Sequence, residues 1–194
     1  MRHICVYTGS NLGARPQYQQ AARALGSEFV ARGYGLIYGG GQVGLMGVIA
    51  DAVLAGGGEV IGVMPRVLFP KEVAHQNLTA LYEVDSMHER KALMADLADA
   101  FIAMPGGFGT YDELFEMITW AQLGIHQKPI GLLNVVGYFD PLLALIAHTM
   151  DEGFIKPAQT NLLLHREHPA ELLDSLATYL PPPAQSKGTE LPAR

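Results

Sequence analysis

Ala100-Phe101-Ile102-Ala103-Met104, running directly into Pro105-Gly106-Gly107-Phe108-Gly109-Thr110, is the stretch that decides the fold. Five apolar residues in a row, bounded by turn residues, suit a short strand buried on both faces. The glycine-rich turn gives way to a helical pattern that reaches about Leu123. Strand, glycine turn and helix in that order form one βα unit of a parallel sheet.

The same unit recurs on both sides. Upstream, His3 to Tyr7 is a strand that ends at Thr8-Gly9-Ser10, and a helix follows from about Pro16 to Arg32. Leu36-Ile37-Tyr38 is cut off by Gly39-Gly40-Gly41, with a helix from about Leu45 to Ala55, and Val60 to Met64 is stopped by Pro65. A less regular segment extends to about Asp85, and a helix starts at Ser86. That makes Ala100 to Met104 the fourth strand. Downstream come Ile130 to Leu133, a helix from Asp140 to Glu152, a last strand at Leu162 to Leu164, and a helix from about Pro169 to Leu180. The pattern predicts an α/β, Rossmann-like, doubly wound parallel sheet flanked by helices, with ligands beyond the carboxyl ends of the strands. Residues 1–180 read as one domain, and 181–194, opening on Pro181-Pro182-Pro183, as a disordered tail.

Composition narrows the function. The chain has 194 residues, 49% of them hydrophobic and 16% charged, which describes a folded globular protein. A formal charge of −6 lacks the basic footprint of a nucleic-acid binder. Any anionic ligand must therefore be held by local groups. Cys5 is the single cysteine, so no intramolecular disulfide can form, which fits a cytoplasmic protein. The start of the chain lacks the features of a signal peptide, and no run reaches the ~18 apolar residues that a membrane span requires. The seven histidines show no metal-ligand spacing, so no metal is expected.

Two glycine loops precede helices: Gly39-Gly40-Gly41-Gln42-Val43-Gly44-Leu45-Met46-Gly47 and Pro105 to Thr110. Glycine lets backbone approach a ligand closely, and a helix N-terminus offers unpaired N–H groups and partial positive charge. Together they suit a phosphate. Neither loop ends in the Lys-Ser/Thr of a Walker A motif, and neither follows the first strand, as a dinucleotide fingerprint would. For Gly39 to Gly47, tight turns that shape a pocket and direct ligand contact are both open readings. For Gly106 to Thr110, three glycines in four positions exceed the needs of a turn and favour contact.

Candidate catalytic groups surround the second loop. Thr110 and Glu113 have capping-box spacing, so capping competes with catalysis for Glu113. Ser86 and Glu89 repeat that spacing. Arg90 and Lys91 then fall early in a helix, where the dipole disfavours positive charge, and this points to an anionic partner such as a phosphate or Glu113. Asp112 and Glu116 read as solvated or structural.

Met87-His88-Glu89-Arg90-Lys91-Ala92 together with Pro105-Gly106-Gly107-Phe108-Gly109-Thr110-Tyr111-Asp112-Glu113 resembles the LONELY GUY (LOG) family, cytokinin riboside 5′-monophosphate phosphoribohydrolases long labelled lysine decarboxylases. The resemblance runs from His3 to about Leu180 and takes in Tyr38 to Gly41, Gly44 to Gly47 and Thr119 to Gly124. It implies hydrolysis of the N-glycosidic bond of a cytokinin riboside 5′-monophosphate or AMP, without a cofactor. It implies that Arg90 and Glu113 are catalytic. Substrate contacts are implied at Glu72, Lys91, Thr119 and the loop Gly106, Gly107, Phe108, Gly109 and Thr110, with Gly40, Gly41 and Met87 beside them. The resemblance also implies a homodimer with sites near the subunit interface. The rival reading is a non-catalytic nucleotide or molybdenum-cofactor carrier of similar fold.

Overall fold

The structure, a computed structural model, describes residues 1–68 and 74–182. Seven strands form a single parallel sheet: β1 (His3–Tyr7), β2 (Gly35–Tyr38), β3 (Val60–Pro65), β4 (Ala80–Val84), β5 (Ala100–Ala103), β6 (Ile130–Leu133) and β7 (Leu163–Arg166). Their spatial order is β4-β3-β2-β1-β5-β6-β7. Among the described residues six α-helices flank them: α1 (Pro16–Arg32), α2 (Gly44–Ala55), α3 (Met87–Leu97), α4 (Phe108–Gln122), α5 (Asp140–Asp151) and α6 (Pro169–Ala177).

The expected doubly wound α/β fold is what the chain forms, with one strand more than the sequence pattern predicts. The addition is β4, inside the segment read as irregular. It pairs only with β3, Ile61 opposite Ala80 through Pro65 opposite Val84, and sits at the sheet edge. Its residues are half-buried or exposed, so the continuous apolar signal of a central strand is missing. The strand ending at the glycine loop is accordingly the fifth.

Alternation along each strand divides the core. Ile4, Val6, Leu36 and Tyr38 meet Leu25 and Phe29 of α1, Ile49 and Val53 of α2, and Leu172 and Leu176 of α6. Cys5, Tyr7, Ile37 and Phe101 meet Met94 of α3 and Leu114 and Met117 of α4 on the other face. Both faces are covered, which is why β1, β2, β5 and β6 read as unbroken apolar runs.

Local signals set the helix ends. Pro16 opens α1, where a missing N–H costs nothing. Gly33 closes it at φ 69°, with Tyr34 N donating to Phe29 O at 2.8 Å. Ser86 caps α3, its Oγ accepting from Glu89 N at 3.1 Å, while Glu89 accepts from Asp85 N at 2.9 Å. Ser86 thus caps as expected, whereas the Glu89 carboxylate reaches one residue past the N-cap, to Asp85 N, and not back to Ser86 N. The capping reading of Thr110 and Glu113 does not hold. α4 begins at Phe108 on an N-cap of Gly107 with no side-chain cap, so Glu113 lies in the second turn, too deep to act as the capping acid.

Candidate active site

The chain reverses its winding between β1 and β5, the central neighbours of the sheet. Such a switch point opens a crevice at the carboxyl ends of the strands. A cavity of about 420 Å³ lies there. Its floor and walls come from the two loops that leave the paired strands, Thr8 to Asn11 after β1 and Pro105 to Thr110 after β5. Arg90 of α3 and Glu113 of α4 face it, with Tyr18, Leu45, Met46 and Tyr138 around the rim.

The two strand-end loops are stitched together. Pro105 O accepts from Gly9 N at 3.1 Å and from Thr8 Oγ1 at 3.0 Å. Gly9 O accepts from Leu45 N at 3.0 Å, which ties the start of α2 to the same point. Gly106 has no room for a side chain, since a Cβ would stand 2.1 Å from Thr110 Oγ1 and 2.8 Å from Gly9 N. Gly107 and Gly109 differ: a Cβ on either would meet nothing within 4 Å. Open space on that side, an α4 N-terminus without a side-chain cap and the dipole behind it make an anion site. Phe108, 95% exposed, stands at its lip.

Arg90 is buried at 6% exposure. Its Nε donates to Val63 O at 3.0 Å and its Nη2 to Gly39 O at 2.8 Å, while Nη1 lies 3.9 Å from Met87 Sδ. A buried guanidinium needs such partners, and these two carbonyls fix its plane at the edge of the cavity. The charges of Arg90 and Glu113 are both felt at Cys5 on β1 beneath the cavity. Burial is the first cause that pushes the Cys5 thiol upward, so it is an inert core group, as its position in β1 predicts.

The other expected site residues fall elsewhere. Lys91 Nζ lies 3.1 Å from Asp112 Oδ2 and 3.2 Å from Glu116 Oε2, joining α3 to α4. Burial works to lower its pKa, and the two carboxylates outweigh this and hold the ammonium above its ordinary value. That pairing gives the cation early in α3 anionic partners of the carboxylate kind, on α4 but other than Glu113. Asp112 and Glu116 have the structural role expected of them. Thr119 is exposed and donates to Phe115 O at 2.7 Å within α4. Gly40 O accepts from His75 N at 3.0 Å, and Gly41 forms a bridge with Ala74, so these glycines hold a neighbouring segment. Met87 touches Arg90 and is 38% exposed. None of these five belongs to the cavity wall among the described residues. Glu72 lies outside the described residues.

Sequence reading missed the other half of the wall. Thr8-Gly9-Ser10-Asn11 follows the first strand, where a doubly wound sheet binds ligands, so its position was the available signal. Tyr138 carried none. It follows β6 on a turn in which Val136 has φ 47° and Gly137 φ 72°. Its hydroxyl donates to Gly106 O at 2.5 Å and accepts from Tyr111 at 3.2 Å. Burial first, and then that contact with Tyr138, push the Tyr111 phenol up to about 12.

Comparison with known proteins agrees with this geometry. Residues 46–176 match the family described as "Possible lysine decarboxylase". The cytokinin riboside 5′-monophosphate phosphoribohydrolase LOG of Oryza sativa subsp. japonica is 52% identical over 180 residues, 93% of this chain and 74% of that protein. LOG7 of Arabidopsis thaliana, of the same name, is 51% identical over 93% of this chain and 83% of its own length. The chain belongs to the LOG family. Among solved structures, the molybdenum cofactor binding protein from Rippkaea orientalis superposes with a TM-score of 0.67 at 22% identity, covering 91% of this chain and 98% of its own. The Moco carrier protein from Chlamydomonas reinhardtii gives 0.68 at 19%, covering 91% and 95%. At such identities these two establish a shared fold, whereas the LOG proteins share half of all residues.

The family description and the names of the relatives disagree about chemistry. Lysine decarboxylation conventionally needs a lysine placed to hold pyridoxal phosphate. Among the described residues, Lys91 pairs with α4 carboxylates and Lys128 donates to Ala95 O at 2.7 Å, and neither these nor Lys156 lines the cavity. The relatives' names fit this site better than the family description does.

Proposed function

We propose that this LOG-family chain hydrolyses the N-glycosidic bond of a cytokinin riboside 5′-monophosphate or of AMP, releasing free base and ribose 5-phosphate. The observation that carries the reading is one helix start: α4 opens without a side-chain cap onto the cavity that Glu113, one and a half turns further along, also faces. The 5′-phosphate sits on the N–H groups around Gly107, Gly109 and Thr110. The ribose then extends toward Glu113. Cleavage passes through an oxocarbenium-like state, as glycosidic hydrolysis generally does. The Glu113 carboxylate stabilises that positive charge and activates the water that attacks C1′. The C1′–N bond breaks, the base leaves with a proton, and the sugar keeps the hydroxyl. Arg90, held by Val63 O and Gly39 O, sets its positive charge at the same cavity that Glu113 faces.

Half of all residues shared with phosphoribohydrolases supports this chemistry over that of a carrier. A homodimer is part of the proposal. Phe115 midway along α4, Leu123 at its C-terminal end and Leu145 on α5 expose apolar side chains at 41%, 57% and 55%, and α5 buries no residue of its own. Among the described residues no helix is long and apolar enough to cross a membrane.

The test is incubation with AMP and with isopentenyladenosine monophosphate, followed by chromatography for free base. Base release is expected, with Glu113→Ala slower by about 100-fold or more. No release from either nucleotide, with Glu113→Ala indistinguishable from the parent, would overturn the enzyme reading. Tight binding of the nucleotide without turnover would move the chain to the carrier class.

A further inference from the structure

A loop can turn its N–H groups toward an anion only if its carbonyl oxygens turn elsewhere. In a trans peptide the C=O and the following N–H point in opposite directions, so holding one aims the other. Three consecutive carbonyls of the α4 entry are held. Pro105 O accepts from Gly9 N and Thr8 Oγ1, at 3.1 and 3.0 Å. Gly107 O accepts from Tyr111 N at 3.1 Å, the first turn of α4. Between them Gly106 O accepts from the Tyr138 hydroxyl at 2.5 Å, across 32 residues of sequence. That middle peptide carries Gly107 N–H, and Gly107 faces open space.

Tyr138 is itself held from several sides. Asn134 Oδ1 accepts from Phe139 N at 2.7 Å and its Nδ2 donates to Asp140 Oδ1 at 2.7 Å, closing the turn that presents Tyr138. The ring stands edge-on to Tyr18, with centroids 5.8 Å apart and planes at 81°. Tyr111 donates to its oxygen at 3.2 Å, so the hydroxyl's own proton is directed to Gly106 O. A donor that accepts a hydrogen bond of its own is polarised and donates more strongly.

We infer that Tyr138 is a positioning residue for the substrate phosphate: its hydroxyl pins the Gly106 carbonyl and thereby aims Gly107 N–H into the anion site, with Tyr111 behind it. The inference rests on the nucleotide reading above and assigns Tyr138 no contact with the reacting atoms.

Tyr138→Phe keeps the ring and removes the donor. Steady-state kinetics on AMP, and dissociation constants for AMP, ribose 5-phosphate and phosphate-free adenosine, test it. Binding of AMP and ribose 5-phosphate is expected to weaken by roughly tenfold, the size of one hydrogen bond serving a charged partner. Adenosine binding and kcat should stay within about threefold of the parent. Tyr111→Phe should shift the phosphate ligands the same way by roughly two- to threefold, and it carries the test should Tyr138→Phe not fold. Equal losses for adenosine and ribose 5-phosphate, or unchanged ribose 5-phosphate binding in a folded variant, would overturn the inference. If the parent protein releases no base, the hydrolase reading fails, and the dissociation constants still decide the role of Tyr138.

Discussion

The two glycine loops look alike in sequence and do opposite things in the fold. The first, from Gly39 to Gly47, is crowded. A Cβ at Gly39 would stand 1.9 Å from Arg90 Nη2, one at Gly44 2.2 Å from the carbonyl carbon of Ser10, and one at Gly47 2.1 Å from Gln42 O. Its glycines exist so that other groups can come close. In the second loop only Gly106 is of that kind, whereas Gly107 and Gly109 look onto empty space. Glycine density alone does not mark a ligand loop. What marks it is glycine with nothing of the protein beside it at a helix start, since the helices after both loops lack a side-chain cap.

The comparison breaks most visibly at Gly39. An added methyl must displace the Arg90 guanidinium, which also loses its bond to Gly39 O. The far end of an arginine can move, so the fold should survive. The cavity loses its fixed cation, and kcat/KM for AMP is expected to fall by about 100-fold, equivalent to about 2.7 kcal/mol of transition-state stabilisation. Nucleotide turnover in Gly39→Ala within a few-fold of the parent would mean that Arg90 does not need this seat. Gly44→Ala should instead act on stability. Its φ is +61°, and its neighbours at 2.2–2.4 Å are Ser10 and Asn11 backbone, which cannot step aside. Left-handed strain and overpacking together should cost about 2–4 kcal/mol, read as a lowered urea midpoint. A midpoint equal to the parent's would show that this loop has slack.

Much of this architecture was legible beforehand. The strand–helix alternation gave the doubly wound sheet because strands buried on both faces leave unbroken apolar runs, as at His3 to Tyr7 and Ile130 to Leu133. β4 was illegible for the converse reason: Tyr82 and Glu83 are exposed on an edge strand. Placing Arg90 and Glu113 at one cavity followed from the two family motifs. For Lys91, charge near a helix start signalled an anionic partner without saying which, and the structure pairs it with Asp112 and Glu116. Thr110 and Glu113 misled by spacing, since the helix begins at Phe108. Tyr138 had no local signature, because its partner Gly106 is brought to it only by pairing of β5 with β6.

The smallest expected effect is the one that separates the loops most cleanly. Gly109 lies in the first turn of α4, and a Cβ there touches nothing. For the fold alone, Gly109→Ala reduces the freedom of the unfolded chain and should stabilise by about 0.5 kcal/mol. For an anion it places a methyl where the ligand must approach, so ribose 5-phosphate should bind several-fold more weakly, by about 1 kcal/mol on the usual conversion. Stability and affinity therefore move in opposite directions at Gly109, whereas at Gly44 the stability is what falls. Urea unfolding and phosphate-ligand titration of the same two variants measure both. A Gly109→Ala protein that is more stable and binds ribose 5-phosphate as tightly as the parent would move the phosphate off this helix start and toward the Thr8 to Asn11 loop across the cavity.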